Sequence, residues 1–342
     1  MLYLFLLYLS LSLIGINFNK INLIDETALD RERTTMINGF FVGLVFFSHF
    51  NSYVNLNGSL NNIYIKIFNL IGQLMVTTFL FYSGFGVLES IKNKKDYINS
   101  FFKKRILKLF ISFAIAVLMY LILAFAIGKS YPLKTILLSF IGWESIGNSN
   151  WFIFAIICMY FSTLISFKMF KKDIGKGIIM NVILSVIYMI LMAKFRGYGW
   201  WYDTVLCYNL GMFISYYKDS ILKFLKNKWN YILIIILMIS IIVLCRFQRY
   251  NALTYNIGSM SFVTIVLLIS LRIKIGNKFL LWLGKNTFNI YILQRLSFIL
   301  FEKIGIKDYN VYLYFLLSIC TTIVLTIIFD KFIKLVNKLL KL

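Results

Sequence analysis

Position 49 holds the only histidine in a chain of 342 residues, and it lies inside an apolar stretch, Asn38-Gly39-Phe40-Phe41-Val42-Gly43-Leu44-Val45-Phe46-Phe47-Ser48-His49-Phe50. Imidazole is the side chain whose ordinary pKa lies nearest neutrality, so His49 is the first candidate for a group that takes and returns a proton. Asn38 precedes it by almost three helical turns, which puts Asn38, Val42, Val45 and His49 on one helix face with about 16 Å between the first and the last. That polar stripe climbs through roughly half a bilayer. Two uses are open to such a histidine, a hydrogen-bonding wedge between packed helices or a general base facing an internal cavity. Ionisable groups inside spans are costly, and by default they mark function.

Other segments carry polar groups at spacings that suit chemistry. Arg105 and Lys108 stand one turn apart in Phe101-Phe102-Lys103-Lys104-Arg105-Ile106-Leu107-Lys108. They serve either as a basic anchor at a membrane surface or as the paired cations a phosphate-rich donor requires. Tyr82-Ser83-Gly84-Phe85 offers small residues that admit a ligand or simply let two helices approach. Gly147-Asn148-Ser149-Asn150-Trp151-Phe152 gathers polar groups at the start of an apolar run. Glu144, just before it, and Asp203 are acids that could orient the His49 ring, or be ordinary solvated carboxylates. The segment Leu283 to Arg295 carries Tyr291, Gln294 and Arg295 into another apolar run, where an arginine must face a partner or an aqueous cavity. The four cysteines, Cys158, Cys207, Cys245 and Cys320, lack the close pairing of a metal site or a redox motif, so no metal is expected.

These groups must be positioned by membrane helices. Sixty per cent apolar residues, 18 per cent aromatic, a single proline and a mean hydropathy of +0.81 exclude a soluble globular domain. The net charge of +23 is of the sign that nucleic-acid binding requires. Its Lys and Arg, however, fall in short clusters between apolar runs of about 17 to 24 residues, as basic loops facing anionic lipid do. No nucleic-acid partner is expected. The run from Met1 to Asn17 has no basic residue before it and no small-residue cleavage site after it, so it is expected to remain as a first span. Further spans are expected near 35–53, 67–89, 106–128, 150–168, 176–195, 203–217, 229–246, 254–272, 287–301 and 311–334.

The fold class that follows is an all-α, polytopic integral membrane protein of 10 to 11 transmembrane helices. It forms one transmembrane domain over 1–342, with an extra first span (1–17) ahead of the main bundle (35–334). Basic residues crowd alternate links: Lys92 to Lys108, Lys168 to Lys176 (with Lys171 and Lys172), Lys218 to Lys228, Arg272 to Lys285, and Lys331 to Lys341. Together they hold 23 of the 36. The positive-inside rule makes that side cytoplasmic, with the N-terminus outside and the C-terminus inside. His49 would then lie in the outer half of the membrane.

In this order the segments resemble the membrane-bound acyltransferase 3 family, whose members O-acylate sugars of cell-envelope and capsular polysaccharides or other extracytoplasmic acceptors. The resemblance covers roughly Thr35 to Asp330, and the extra first span is similar to the arrangement in capsular-polysaccharide O-acetyltransferases. The family's basic residue, ten residues and a histidine end here on His49, with Asn38 at the basic position and Arg33 as a displaced alternative. Its basic pair falls on Arg105 and Lys108. Its SG, WF and late Gly-Lys segments match Tyr82 to Phe85, Trp151-Phe152 and Gly284 to Leu293.

The resemblance implies a bacterial plasma-membrane enzyme with His49 as general base. Arg105, Lys108 and Asn38 would serve an acyl-CoA donor, most simply acetyl-CoA used as substrate with no permanently bound cofactor. Ser83, Gly84, Glu144, Asn148, Asn150, Trp151, Tyr291, Gln294 and Arg295 would serve a polysaccharide or lipid-linked glycan acceptor. A polysaccharide flippase or polymerase of the cell envelope is the rival. A flippase should line many spans with polar groups and a polymerase should carry a large Arg-rich outer loop, and the chain has neither.

Overall fold

The computed structural model describes residues 1–18, 24–171, 173–247 and 251–342; Lys172 and part of the link between the first two spans, 19–23, lie outside them. Among the described residues eleven long helices follow one another where apolar runs were expected. They are α1 (Leu2–Leu13), α2 (Arg31–Asn51), α3 (Ser59–Asn93), α4 (Tyr97–Ala126), α5 (Trp151–Met169), α6 (Ile174–Phe195), α7 (Leu206–Tyr216), α8 (Lys228–Phe247), α9 (Ala252–Arg272), α10 (Thr287–Lys303) and α11 (Val311–Leu339). Seven of them, α3, α4, α5, α6, α8, α9 and α11, are long and apolar enough to cross a membrane. The chain is an all-α polytopic membrane protein. Among the described residues the one pair of strands is a two-residue clasp in which Asn17 and Phe18 lie antiparallel to Lys274 and Ile273.

Surroundings explain why α2 is less apolar than its neighbours. It carries Arg31, Glu32, Arg33, Asn38 and His49, yet Phe41, Val42, Leu44, Val45, Phe46, Phe47 and Phe50 are buried against other helices. A helix enclosed by protein need not satisfy lipid. By contrast α8 buries none of its residues, and its apolar surface is what an outer, lipid-facing helix requires.

The roll of α2 about its axis is set by aromatic rings. Phe46, Phe47 and Phe50 meet Phe298 of α10 and Tyr314 and Phe315 of α11 with centroids 4.8 to 5.6 Å apart. Such pairs are each worth about 0.5–1.5 kcal/mol beyond their buried area. Turning α2 would break several at once, so the face that carries Asn38 and His49 is fixed.

Glycine contacts at two crossings bring helices to backbone distance. Gly84 of α3 faces the Tyr208 carbonyl of α7, and Gly211 of α7 faces the Phe81 carbonyl of α3, each where a Cβ would have to stand. Likewise Gly39 of α2 meets the Leu280 carbonyl of the short helix Lys278–Lys285, while Gly284 of that helix meets the Thr35 carbonyl of α2. Small residues are what such close crossings need. Gly84, expected at the acceptor site, is therefore a packing residue.

Links expected on one side do meet at one end of the bundle. Lys92 Nζ donates to the Ser215 carbonyl at 2.8 Å, Lys226 pairs with Glu26 at 2.8 Å, and the Asp25 amide donates to the Leu271 carbonyl at 2.8 Å. Arg33 is pinned there, donating to the Ile273 and Ile275 carbonyls and pairing with Asp25 at 3.4 Å. That corrects the idea of Arg33 as a displaced donor-site cation. At the opposite end the Met1 amino group donates to Asn61 Oδ1 at 3.0 Å and Gln73 Nε2 to the Trp200 carbonyl at 2.7 Å.

Candidate active site

Between α2, α3, α4, α5 and α10 lies a cavity of about 830 Å³. It begins at the basic end, where Arg31, Lys94, Lys104, Arg105 and Lys218 outnumber Asp30 and Glu89 along its walls. Deeper in, its walls are Asn38 of α2, Tyr82 and Ser83 of α3, Tyr160 of α5, and Phe152 and Tyr291. A mouth so charged concentrates anions.

Arg105 lines the mouth, its Nε donating to the Tyr97 hydroxyl at 3.0 Å, whereas Lys108 lies outside the lining. The reason is local geometry. Residues Phe102–Leu107 wind as a π-helical turn, wider than the α-helical turn that would put positions 105 and 108 on one face. The cations that share the cavity with Arg105 come from its neighbour Lys104 and from separate segments at Lys94, Lys218 and Arg31. No single-helix spacing reveals such a set.

His49 stands just behind the inner wall. Ring centroids step from Phe79 to Phe152 (5.9 Å), Phe152 to Tyr291 (5.3 Å) and Tyr291 to His49 (5.7 Å). His49 is half-buried as a residue, and its Nδ1 lies 2.8 Å from Gln294 Nε2. Gln294, fully buried, also donates from Nε2 to the Tyr291 carbonyl at 3.1 Å. Arg295 is the next residue on α10; its guanidinium lies over the Tyr53 ring at 5.9 Å and within electrostatic reach of His49. Its Nε and the Asn38 and Gln294 side-chain carbonyl oxygens are buried without a hydrogen-bond partner among the described residues.

The expected acid partners of His49 are elsewhere. Glu144 pairs with Arg196 at 3.1 Å, and Arg196 also lies over the Trp143 and Trp201 rings at 4.7 and 4.3 Å. Asp203 is buried beside Ser259 and Tyr255 of α9. Gln294, placed with the acceptor from sequence, is the ring's hydrogen-bond partner, and nothing in one sequence pairs positions 49 and 294. Asn148 and Asn150 brace the link before α5. Asn148 Oδ1 accepts from the Ile146 amide at 3.1 Å and Asn150 Nδ2 donates to the Gly142 carbonyl at 3.0 Å.

Trp151 packs edge-on against Phe152, and it is Phe152 that lines the cavity. Thus Asn38, Ser83, Arg105 and Tyr291 share one cavity, His49, Gln294 and Arg295 lie behind it, and Gly84, Lys108, Glu144, Asn148, Asn150 and Trp151 lie off it. Ser83 Oγ meets the Tyr160 hydroxyl at 2.8 Å, a polar pair on the wall that sequence left unjoined.

In comparison with known families, the acyltransferase domain of the acyltransferase 3 family matches residues 36–331. No curated protein and no solved structure matches the chain.

Proposed function

From the premise that the chain belongs to the acyltransferase 3 family, and is a membrane acyltransferase, we propose that it moves an acetyl group from acetyl-CoA to a sugar hydroxyl of an extracytoplasmic or capsular polysaccharide. The observation that carries this reading is the cavity itself, which leads from a cation-rich mouth to the Tyr291 ring in contact with His49. CoA carries three phosphates beyond a long, uncharged arm that ends in the thioester. Arg105 and Lys104 suit the phosphates, with Lys94 and Lys218 adding field. The unpartnered Asn38 carbonyl oxygen suits an amide N–H of the arm.

The reaction then balances on one proton. His49 draws the proton from the acceptor hydroxyl as its oxygen attacks the thioester carbonyl. The new C–O bond forms, the C–S bond breaks, and the proton passes from the imidazolium to the departing thiolate, leaving an ester and free CoA thiol. Arg295, over the Tyr53 ring and within electrostatic reach of His49, would steady the negative charge that gathers on the carbonyl oxygen. A thioester is already activated, so the chemistry calls for no nucleotide hydrolysis.

In this reading the basic end faces the cytoplasm, as the positive-inside rule favours, with the N-terminus outside, the C-terminus inside and the enzyme in a bacterial plasma membrane as the resemblance implies. The test is the O-acetyl content of envelope glycan, measured by NMR in cells that carry His49→Ala at normal expression. Loss of acetylation is expected, and full acetylation would remove His49 from the chemistry.

A further inference from the structure

We infer that Gln294 is the positioning residue that decides on which nitrogen His49 carries its proton, and so whether the ring meets the acceptor hydroxyl as a hydrogen-bond donor or as a base. This rests on the reading of His49 as the proton-handling group. It begins from two contacts of one atom. Gln294 Nε2 lies 3.1 Å from the Tyr291 carbonyl and 2.8 Å from His49 Nδ1. A backbone carbonyl can only accept, so the amide nitrogen, and not its oxygen, belongs at that position. Turned over, the amide would set two oxygens against each other.

With one N–H spent on the Tyr291 carbonyl, the second points at Nδ1, which must then accept it. A neutral ring that accepts at Nδ1 carries its proton on Nε2. At rest, therefore, the nitrogen turned away from Gln294 is a donor. Gln294 is fully buried, so no bulk water competes for either contact, and its backbone carbonyl is held by Ser297 Oγ at 2.7 Å, itself 2.9 Å from Thr322 Oγ1.

Removing a proton from a hydroxyl at Nε2 needs the opposite tautomer, with the proton on Nδ1. The Tyr291 carbonyl bars the Gln294 oxygen from turning to that nitrogen, so the base form requires the Gln294–Nδ1 hydrogen bond to be given up. The resting enzyme thus holds its base unarmed, and release of that hydrogen bond arms it.

Because His49 is the only histidine, protein labelled with ¹⁵N-histidine and purified on a tag free of histidine yields the two ring nitrogens of this residue alone. In neutral ring, the full-length wild type in detergent should show Nδ1 as the unprotonated, accepting nitrogen and Nε2 as the protonated one. A ring protonated at Nδ1, or an even mixture, overturns the inference. In Gln294→Glu, whose ionised carboxylate only accepts, the proton should move to Nδ1. In Gln294→Leu the preference should fade. The wild-type pattern retained in both variants would also overturn it, whatever their activity. His49→Ala tests the underlying role separately, since a correct tautomer in an enzyme indifferent to His49→Ala would defeat the functional reading and leave the assignment of the proton intact.

Discussion

Arg105→Ala and Lys108→Ala, made side by side, separate what the structure places at the cavity from what spacing alone would pair. Arg105 lines the mouth and is held by the Tyr97 hydroxyl at 3.0 Å; Lys108 does not line it. A hydrogen bond to a charged group is worth about 1.5–3 kcal/mol, and 1.4 kcal/mol is tenfold in an equilibrium constant, so a lost phosphate contact spans about 10- to 150-fold. The Arg105 side is open to water, which favours the lower end, about tenfold. The contact is remote from the reacting carbonyl and equal in ground and transition states, so KM for the donor should rise and kcat should hold.

Initial rates with labelled acetyl-CoA in proteoliposomes, at two ionic strengths, give both numbers. Because several cations share the mouth, salt should raise KM in the wild type and raise it less in Arg105→Ala. Lys108→Ala should stay within about threefold of wild type, as a surface charge does. Equal effects from the two variants, or an unchanged KM in Arg105→Ala, would refute the placement of the donor phosphates.

Other predictions follow from packing and charge. Gly84→Ala sets a Cβ against the Tyr208 carbonyl, and overpacking of this kind costs about 1–3 kcal/mol or more, so its unfolding temperature in detergent should fall; Gly86→Ala, with nothing within 4 Å of the added carbon, should leave it unchanged. Glu144→Gln breaks a half-exposed pair with Arg196 and should cost less than about 1 kcal/mol of stability while leaving acyl transfer intact, since His49 takes its hydrogen bond from Gln294. Lys226, 2.8 Å from Glu26, holds that carboxyl below its ordinary range. A depressed carboxyl favours the fold above its ordinary pKa and loses that contribution as pH falls through the lowered one, so NMR titration should show the Glu26 midpoint return upward in Lys226→Ala.

How much of this was legible in sequence varied with the range of the interaction. The helices were, because hydropathy is local; each apolar run became a helix, including short α1, α7 and α10. His49 stood out because an ionisable side chain among phenylalanines has few uses. Its partner did not, because Gln294 is 245 positions away and only the packing of α2 on α10 joins them. Arg105 lines the cavity and Lys108 does not, because the π turn breaks the spacing on which the pairing depended. Asn148 and Asn150 looked like a binding loop, and they are the hydrogen bonds that hold a loop shut. Polar residues at a turn carry the same signature whether they serve the backbone or a ligand.

The central claim is that His49 completes acyl transfer through the cavity behind the basic mouth. It is tested most directly by transfer of label from acetyl-CoA, added at that mouth, to a glycan hydroxyl in proteoliposomes of purified wild type and His49→Ala. The wild type should release free CoA and esterified glycan in equal amounts, and the variant should bind donor with unchanged affinity and turn over at least a hundredfold more slowly, the scale of a lost general base. Ester formation by His49→Ala at the wild-type rate would contradict the account.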